Sequence, residues 1–481
     1  MIEIARAQDE EVGDGTTSVI VLTAEILAAA EQFLEREIHP TVIVSSYYNA
    51  LEEATKLTKE ISTSIDVSKD EDLIYKIVRS CIGTKFVSQW STLITKLAVD
   101  AVKCVRVEQN NTVEIDVKRY AKIEKLPGAR LEDCRVLDGV MFNKDVTHAQ
   151  MERKIKNPRV ILLDSPLEYK KGESMTNMEM TSESDFAAAL RMEEEEVKRM
   201  CDRILAFNPD VVITEKGVSD LAQHYMMKSG KNVSMIRRIR KTDNNRIARV
   251  TGATIVNRPE ELQESDVGTE CGLFEIKKIG DEYFTFMVEC KNPKACTILL
   301  RGGSKDVLNE VERNMHDAMA VARNMLIDPK LVPGGGALEM EISAHLLEKA
   351  KNIEGISQWP YKAIASAFEV IPRTLAQNAG SDVVRVMTQL RAKHAKRDTE
   401  DGKFFGIDGE KGTVADMRDI RVWDPVAVKL QTFKTAVETA SMILRIDDIV
   451  SGMKKQKAGG GAQQMENPDV EDEAFGDSRD G

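Results

Sequence analysis

Apolar residues recur along this chain with two different periods. Near the start, Val19 to Arg36 is a run of small and aliphatic residues that reads as one helix, ended by His39-Pro40. Ile43, Tyr47, Leu51, Ala54, Leu57 and Ile61 follow at helical spacing and predict a second helix with one buried stripe. The helical period returns late in the chain. Leu308, Val311, Met315, Met319, Ala322 and Leu326 form a stripe that stops before Pro329, and Val426, Leu430, Phe433, Val437, Ala440 and Leu444 form another. From about Gly128 the pattern shifts to short apolar runs: RVILLD (159–164), DVVITEKG (210–217), VSMIRRI (233–239) and GATIV (252–256). Helical patterns such as Val218 to Lys228 lie between them, as in βαβ units. CGLFEIKKIGDEYFTFMVEC alternates on both sides of Gly280-Asp281 and predicts a hairpin. The order helix, α/β, helix predicts a multi-domain α and α/β fold with one domain inserted in another. No repeat of fixed period occurs, and the Gly-rich, then acidic residues after Val450 predict a disordered tail.

Composition narrows the function classes. At 481 residues the chain exceeds one ordinary core, and 42% hydrophobic with only 5% aromatic residues fits a helix-rich globular protein. The net charge of −12 repels phosphate backbones, which argues against general nucleic-acid binding. No uncharged apolar stretch reaches spanning length and the first residues are acidic rather than a basic signal, so no membrane is expected and the expected compartment is the cytosol. Seven cysteines, scattered and never in a C-x-x-C pair, read as reduced structural thiols rather than disulfides or zinc ligands.

Two glycine-rich turns carry the candidate chemistry. In GDGTTS, Gly13 to Ser18, the glycines allow tight backbone angles, so successive N–H groups can face an anion at the positive end of the next helix. Asp14 would oppose a phosphate unless a hard cation such as Mg²⁺ lies between them; a plain capped helix is the competing reading. LVPGGGA, Leu331 to Ala337, allows a second close backbone approach, and alone is only a turn. Asp317 lies about 200° around its helix from Met315, which reads as a solvated acid facing away from the packing stripe. Arg237, Arg238, Arg240, Lys241, Arg246 and Arg249 read as a solvated basic face, the six histidines as isolated, and the Met-rich stretch Lys170 to Phe186 as an adaptable loop. Neither a Walker loop nor G-x-G-x-x-G occurs.

GDGTT, TILLRGG, NMHDAM, LVPGGGA, EVIPRTLAQNAG and LRIDDIV, in this order and spacing from Met1 to about Lys455, together resemble the group II chaperonins. The resemblance implies a helical equatorial domain from both chain ends (1–64 and 331–455), an intermediate domain crossed twice (65–127 and 289–330), and an inserted α/β apical domain (128–288) with a lid protrusion near 168–190, before the tail at 456–481. It implies ATP with Mg²⁺ as cofactors. Asp14 would hold the metal, Gly15, Thr16, Thr17 and Ser18 the phosphates, and Gly335 would approach the nucleotide. Gly409, Glu410, Asp424 and Lys429 fall where the family holds base and ribose, Thr84 matches a further contact, and Asp317 falls where the attacking water is positioned. Asp317 is on the order of 18 Å along its helix from Pro329, so hinge closure would have to bring it to the phosphate.

The implied function is that of an ATP-dependent folding chaperone: one subunit of a hetero-oligomeric double ring in the cytoplasm. Its partners would be paralogous subunits and non-native proteins such as actin and tubulin. The match begins just before GDGTT. The family's Gly-Pro phosphate loop, its second Asp-Gly motif and its N-terminal pairing strand have no counterpart here, so nucleotide affinity, hydrolysis and assembly are expected to suffer. A scaffold or assembly component without turnover is the rival reading, and a stand-alone Mg²⁺-dependent phosphotransferase a third.

Overall fold

A computed structural model describes residues 1–66, 71–83, 85–109, 112–169, 183–395 and 400–447. Thr84, most of the Met-rich stretch, and the tail at 456–481 lie outside the described residues.

The two ends of the chain build one helical core. Helices Thr16–Leu34 and Pro40–Ile61 pack with Ala337–Lys349, Gln358–Ala367 and Val426–Ile443. Their stripes meet as the periodicity requires: Ile43, Tyr47 and Phe433 are wholly buried, and Phe433 stacks edge-on against Phe368 at 5.2 Å between ring centres. Each such side chain contributes roughly 1.5–3 kcal/mol by leaving water. The first of these helices is long and apolar enough, by length and composition, to cross a membrane. Here it is a core helix, with Leu22, Ile26 and Ala30 buried among its neighbours and Glu25 paired to Arg373 at 3.1 Å.

A second core joins helices Glu71–Ile82, Ser91–Val105 and Lys305–Ile327 to a three-stranded sheet. Strand Cys296–Gly302 is its centre, parallel to Ala121–Pro127 and antiparallel to Arg135–Leu137. The third and largest core lies in the middle of the chain. Four parallel strands run in the order Ser234–Ile236, Val211–Thr214, Val160–Leu163, Ile255–Val256, and all four predicted runs are present. Their unbroken apolar sequences suit a sheet covered on both faces. The hairpin Leu273–Ile279 and Glu282–Val288 closes at Gly280, whose φ of 67° a two-residue turn needs. Strands Val140–Phe142 and Lys154–Lys156 flank it.

The basic stretch is not one solvated face. Arg246 is buried against Asp243 at 2.9 Å and the Arg119 carbonyl, and Arg249 stacks 3.5 Å over Tyr120, because both lie on the inner side of helix Lys241–Thr251; Arg237, Arg238, Arg240 and Lys241 are exposed.

Candidate functional site

Helix Ile2–Val12 ends at Gly13 and helix Thr16–Leu34 starts after Gly15, both glycines in the left-handed region at φ 71° and 78°. No side chain caps the second helix; the Asp14 carboxylate instead accepts from the Gly15 N–H at 2.8 Å. No side chain thus takes up the helix start, and Thr16, Thr17 and Ser18, whose first-turn N–H groups have no partner within the helix, line a cleft. The turn is held from behind by Gln8, which donates to the Asp14 carbonyl and to Thr432 Oγ1, both at 3.1 Å. A Cβ on Gly15 would lie 2.9 Å from that hydroxyl.

Helix Lys305–Ile327 crosses Gly13 so closely that a Cβ there would sit 2.4 Å from Ala320 Cβ and 3.0 Å from the Asp317 carbonyl oxygen. Asn324 donates to the Val12 carbonyl at 3.1 Å and Arg323 to that of Glu11. This crossing corrects two expectations. Asp317 is buried, not solvated, because the side of its helix away from the Met315 stripe packs against the start of the chain. It also lines the same cleft, of about 690 Å³, as Gly13 to Ser18, rather than standing apart from it.

Lys85, next to Thr84 and marked by no motif, donates to Asp317 Oδ2 at 2.5 Å and lies 3.7 Å from Cys81 Sγ. Burial pushes the Asp317 carboxyl up to about 6; Lys85 pulls it down without prevailing, and Asp9 pushes the same way as burial. Burial lowers the Lys85 ammonium, but Cys81, Asp317 and Asp14 together hold it above its ordinary value. Asp14 is raised by burial and then by Asp424, against the Gly15 N–H, Lys85 and Lys429. A recessed carboxylate next to a second one is short of positive charge, which is the electrostatic demand a divalent cation meets. Among the described residues no three His, Cys, Asp or Glu side chains gather as a metal cage. One carboxylate with hydroxyls and open space suits Mg²⁺ that takes its other ligands from phosphate and water.

The second turn lies alongside. Strand Lys330–Pro333 pairs with Trp423–Pro425, setting Val332 opposite Asp424, and a Cβ on Gly334 would lie 3.1 Å from Asp424 Oδ2. Gly335, at φ 62°, accepts from the Ile407 N–H at 2.9 Å and leaves no room for a Cβ beside Met417 Sδ, 2.5 Å away. Lys429 joins Asp424 at 3.0 Å to Glu339 at 2.7 Å; burial opposes its charge, and the two carboxylates raise it well above its usual value. Gly335, Asp424 and Lys429 do not line the cleft, and neither do Gly409 and Glu410. The latter two form the exposed tip of hairpin Phe405–Asp408 and Thr413–Asp416, where Asp408 accepts from the Glu410 N–H at 3.0 Å.

A buried histidine is also part of this region, against the reading of isolated histidines. His394 lies 2.7 Å from Glu341 Oε2 and 2.9 Å from the Phe405 carbonyl, and so joins the helix after the glycine turn to the hairpin bearing Gly409. No sequence signal marks it, since its partners are 53 and 11 residues away.

Two recessed glycine turns at helix starts, a paired acid in the cleft and a core built from both chain ends define a class of protein that comparison also finds. Residues 1–454 match the TCP-1/cpn60 chaperonin family, and the chain belongs to that family. The chain is 67% identical to T-complex protein 1 subunit gamma of Oxytricha granulifera over its whole length, covering 86% of that protein. It is 60% identical to the human T-complex protein 1 subunit gamma over 95% of its length and 83% of the relative's. Among solved structures, an open-state monomer of a group II chaperonin from Methanococcoides burtonii superposes with a TM-score of 0.65 at 32% identity, covering 90% of this chain and 100% of that one.

Proposed function

We propose that the chain is an ATP-dependent chaperone subunit of a cytosolic hetero-oligomeric double ring that encloses and folds non-native proteins. The observation that carries the nucleotide reading is the shared cleft: the uncapped helix start at Thr16 to Ser18, Asp14 and Asp317 border one volume. In this reading the first-turn N–H groups and the Thr16, Thr17 and Ser18 hydroxyls bind the triphosphate, and Gly335 brings backbone against the nucleotide. Asp424 and Lys429 brace that second turn from below, with Gly409 and Glu410 at its rim. Asp14 would hold Mg²⁺, which when bound supplies charge neutralisation of the phosphates. Asp317 orients a water and accepts its proton, while Lys85 keeps the carboxylate aimed into the cleft.

The three cores are read as equatorial, intermediate and apical domains, with expected boundaries at 64, 127, 288 and 330, although Leu131 and Cys134 pack in the middle core and Cys290 and Ala295 in the apical one. Because Asp317 belongs to the middle core and Asp14 to the first, a shift between those cores would couple hydrolysis to closure. The test is single-turnover phosphate release from rings assembled with Asp317→Ala. A drop of roughly 100-fold or more supports a catalytic acid-base role, whereas unchanged release would leave the scaffold reading standing.

A further inference from the structure

The chain returns from the hairpin to the central strand Cys296–Gly302 through residues 289–295, and a cysteine stands at each end of that connection. Each has a second thiol beside it. Leu273 pairs with Val288, and beyond this last rung Gly272 lies so near Glu289 that a Cβ would be 2.4 Å from its carbonyl oxygen. The Lys291 N–H then donates to the Glu270 carbonyl at 3.1 Å. Cys271 and Cys290 are therefore opposite each other between two close approaches, the Cys271 thiol reaching back to the Leu273 and Val288 carbonyls and the Cys290 thiol to that of Met287. At the other end Cys104, in the last turn of helix Ser91–Val105, stands beside Cys296: its thiol lies 3.7 Å from the carbonyl of Ala295, the residue just before Cys296. The Cys104 thiol also lies 3.2 Å from the Pro293 carbonyl of the connection itself, and Cys296 Sγ 3.7 Å from the Ala101 carbonyl.

We propose that Cys271/Cys290 and Cys104/Cys296 are two redox dithiols that convert to disulfides by exchange with a low-molecular-weight disulfide, and so clamp both ends of the returning connection. Continuing the register of Leu273 with Val288 sets Cys271 opposite Cys290, and residues so opposed on antiparallel strands have Cα atoms about 4.5–5.5 Å apart, inside the range a disulfide spans. Each pair contains one thiol favoured to ionise. Cys104 and Cys271 are lowered by the partner thiol, against burial, while Cys296 and Cys290 are raised by the partner thiol and then by burial.

The thiolate of Cys104 or Cys271 attacks one sulfur of the external disulfide, whose S–S bond breaks and releases one thiolate. The partner cysteine, giving up its proton, then attacks the mixed disulfide and expels the second thiolate. Two protein thiols lose two electrons and two protons, and the external disulfide becomes two thiols. Cys104 is half-buried, so its pair reacts first; Cys271 and Cys290 are buried and follow. Each bridge lies within one core, so it stiffens an end of the connection without joining the cores.

The test treats the native full chain with oxidised glutathione, blocks remaining thiols with iodoacetamide and maps disulfide-linked peptides. The expected result is two linked pairs, 104 with 296 and 271 with 290, each lighter by two hydrogens, with Cys81, Cys134 and Cys201 fully alkylated. Cys104→Ser should retain only the 271–290 bridge, and Cys271→Ser only the other. Amide exchange over 289–295 should slow on oxidation. The proposal is overturned if these four cysteines stay alkylatable or carry only glutathione, if bridges form equally with the other three thiols, or if exchange in the connection is unchanged.

Discussion

Asp317 is asked to be buried and charged at once, and its neighbours decide how far each demand is met. Burial has the larger effect and holds the carboxyl at about 6, so the ionised form needed by a proton acceptor is lost as pH falls through that value. Phosphate release from assembled rings should therefore decline on the acid side of about pH 6, and Asp317→Asn should abolish the ionisation along with the activity. Lys85 lowers the Asp317 carboxyl by hydrogen bond and charge. Lys85→Met should thus move the acid limb of the pH–rate profile upward, and a limb that stays in place would reject Lys85 as the group that positions Asp317. Gly13 is held to glycine twice, by φ 71° and by Ala320 Cβ. Gly13→Ala should destabilise the chain by roughly 1–3 kcal/mol, measured by urea unfolding.

At the scale of elements, the glycine turn before helix Ala337–Lys349 is shaped by what packs on it. The hairpin strand Phe405–Asp408 bonds to Gly335, and His394 ties that strand to Glu341 on the helix. Removing the imidazole leaves the buried Glu341 carboxylate without this partner, a change that costs about 1–3 kcal/mol. His394→Ala should accordingly weaken nucleotide binding measured by calorimetry while leaving the acid limb assigned to Asp317 unmoved; His394→Gln, which keeps a donor, should recover part of the affinity. The same logic explains why Gly409 and Glu410 are at an exposed tip yet belong to this region: the hairpin sets their distance from Gly335, and the histidine sets the hairpin.

For the whole molecule, the binding of both chain ends into one core means that a defect near the C-terminal end should be felt at the start of the chain. Phe433 is buried against Phe368 in the core shared with Thr16–Leu34. Phe433→Ala should cost about 3–5 kcal/mol in thermal or urea unfolding. Because Thr432 beside it holds Gln8 and the Asp14 turn, hydrogen exchange should also rise around Gly13 to Ser18.

Local geometry is legible in the chain: stripes of period 3.6 make helices, unbroken apolar runs make covered strands, and Gly-Asp-Gly and Gly-Gly-Gly make tight turns at helix starts, since each depends on residues a few positions apart. The quoted motifs also made the family legible. Packing in three dimensions is what brings Lys85 to Asp317 across 232 positions, Gln8 to Thr432 across 424, and Cys104 beside Cys296. It likewise turned Asp317 from a surface acid into a buried one, because periodicity reports one packing face and a helix between two cores has two. Long-range pairings of polar side chains leave no period in a sequence; they follow from which faces the packed helices bring together.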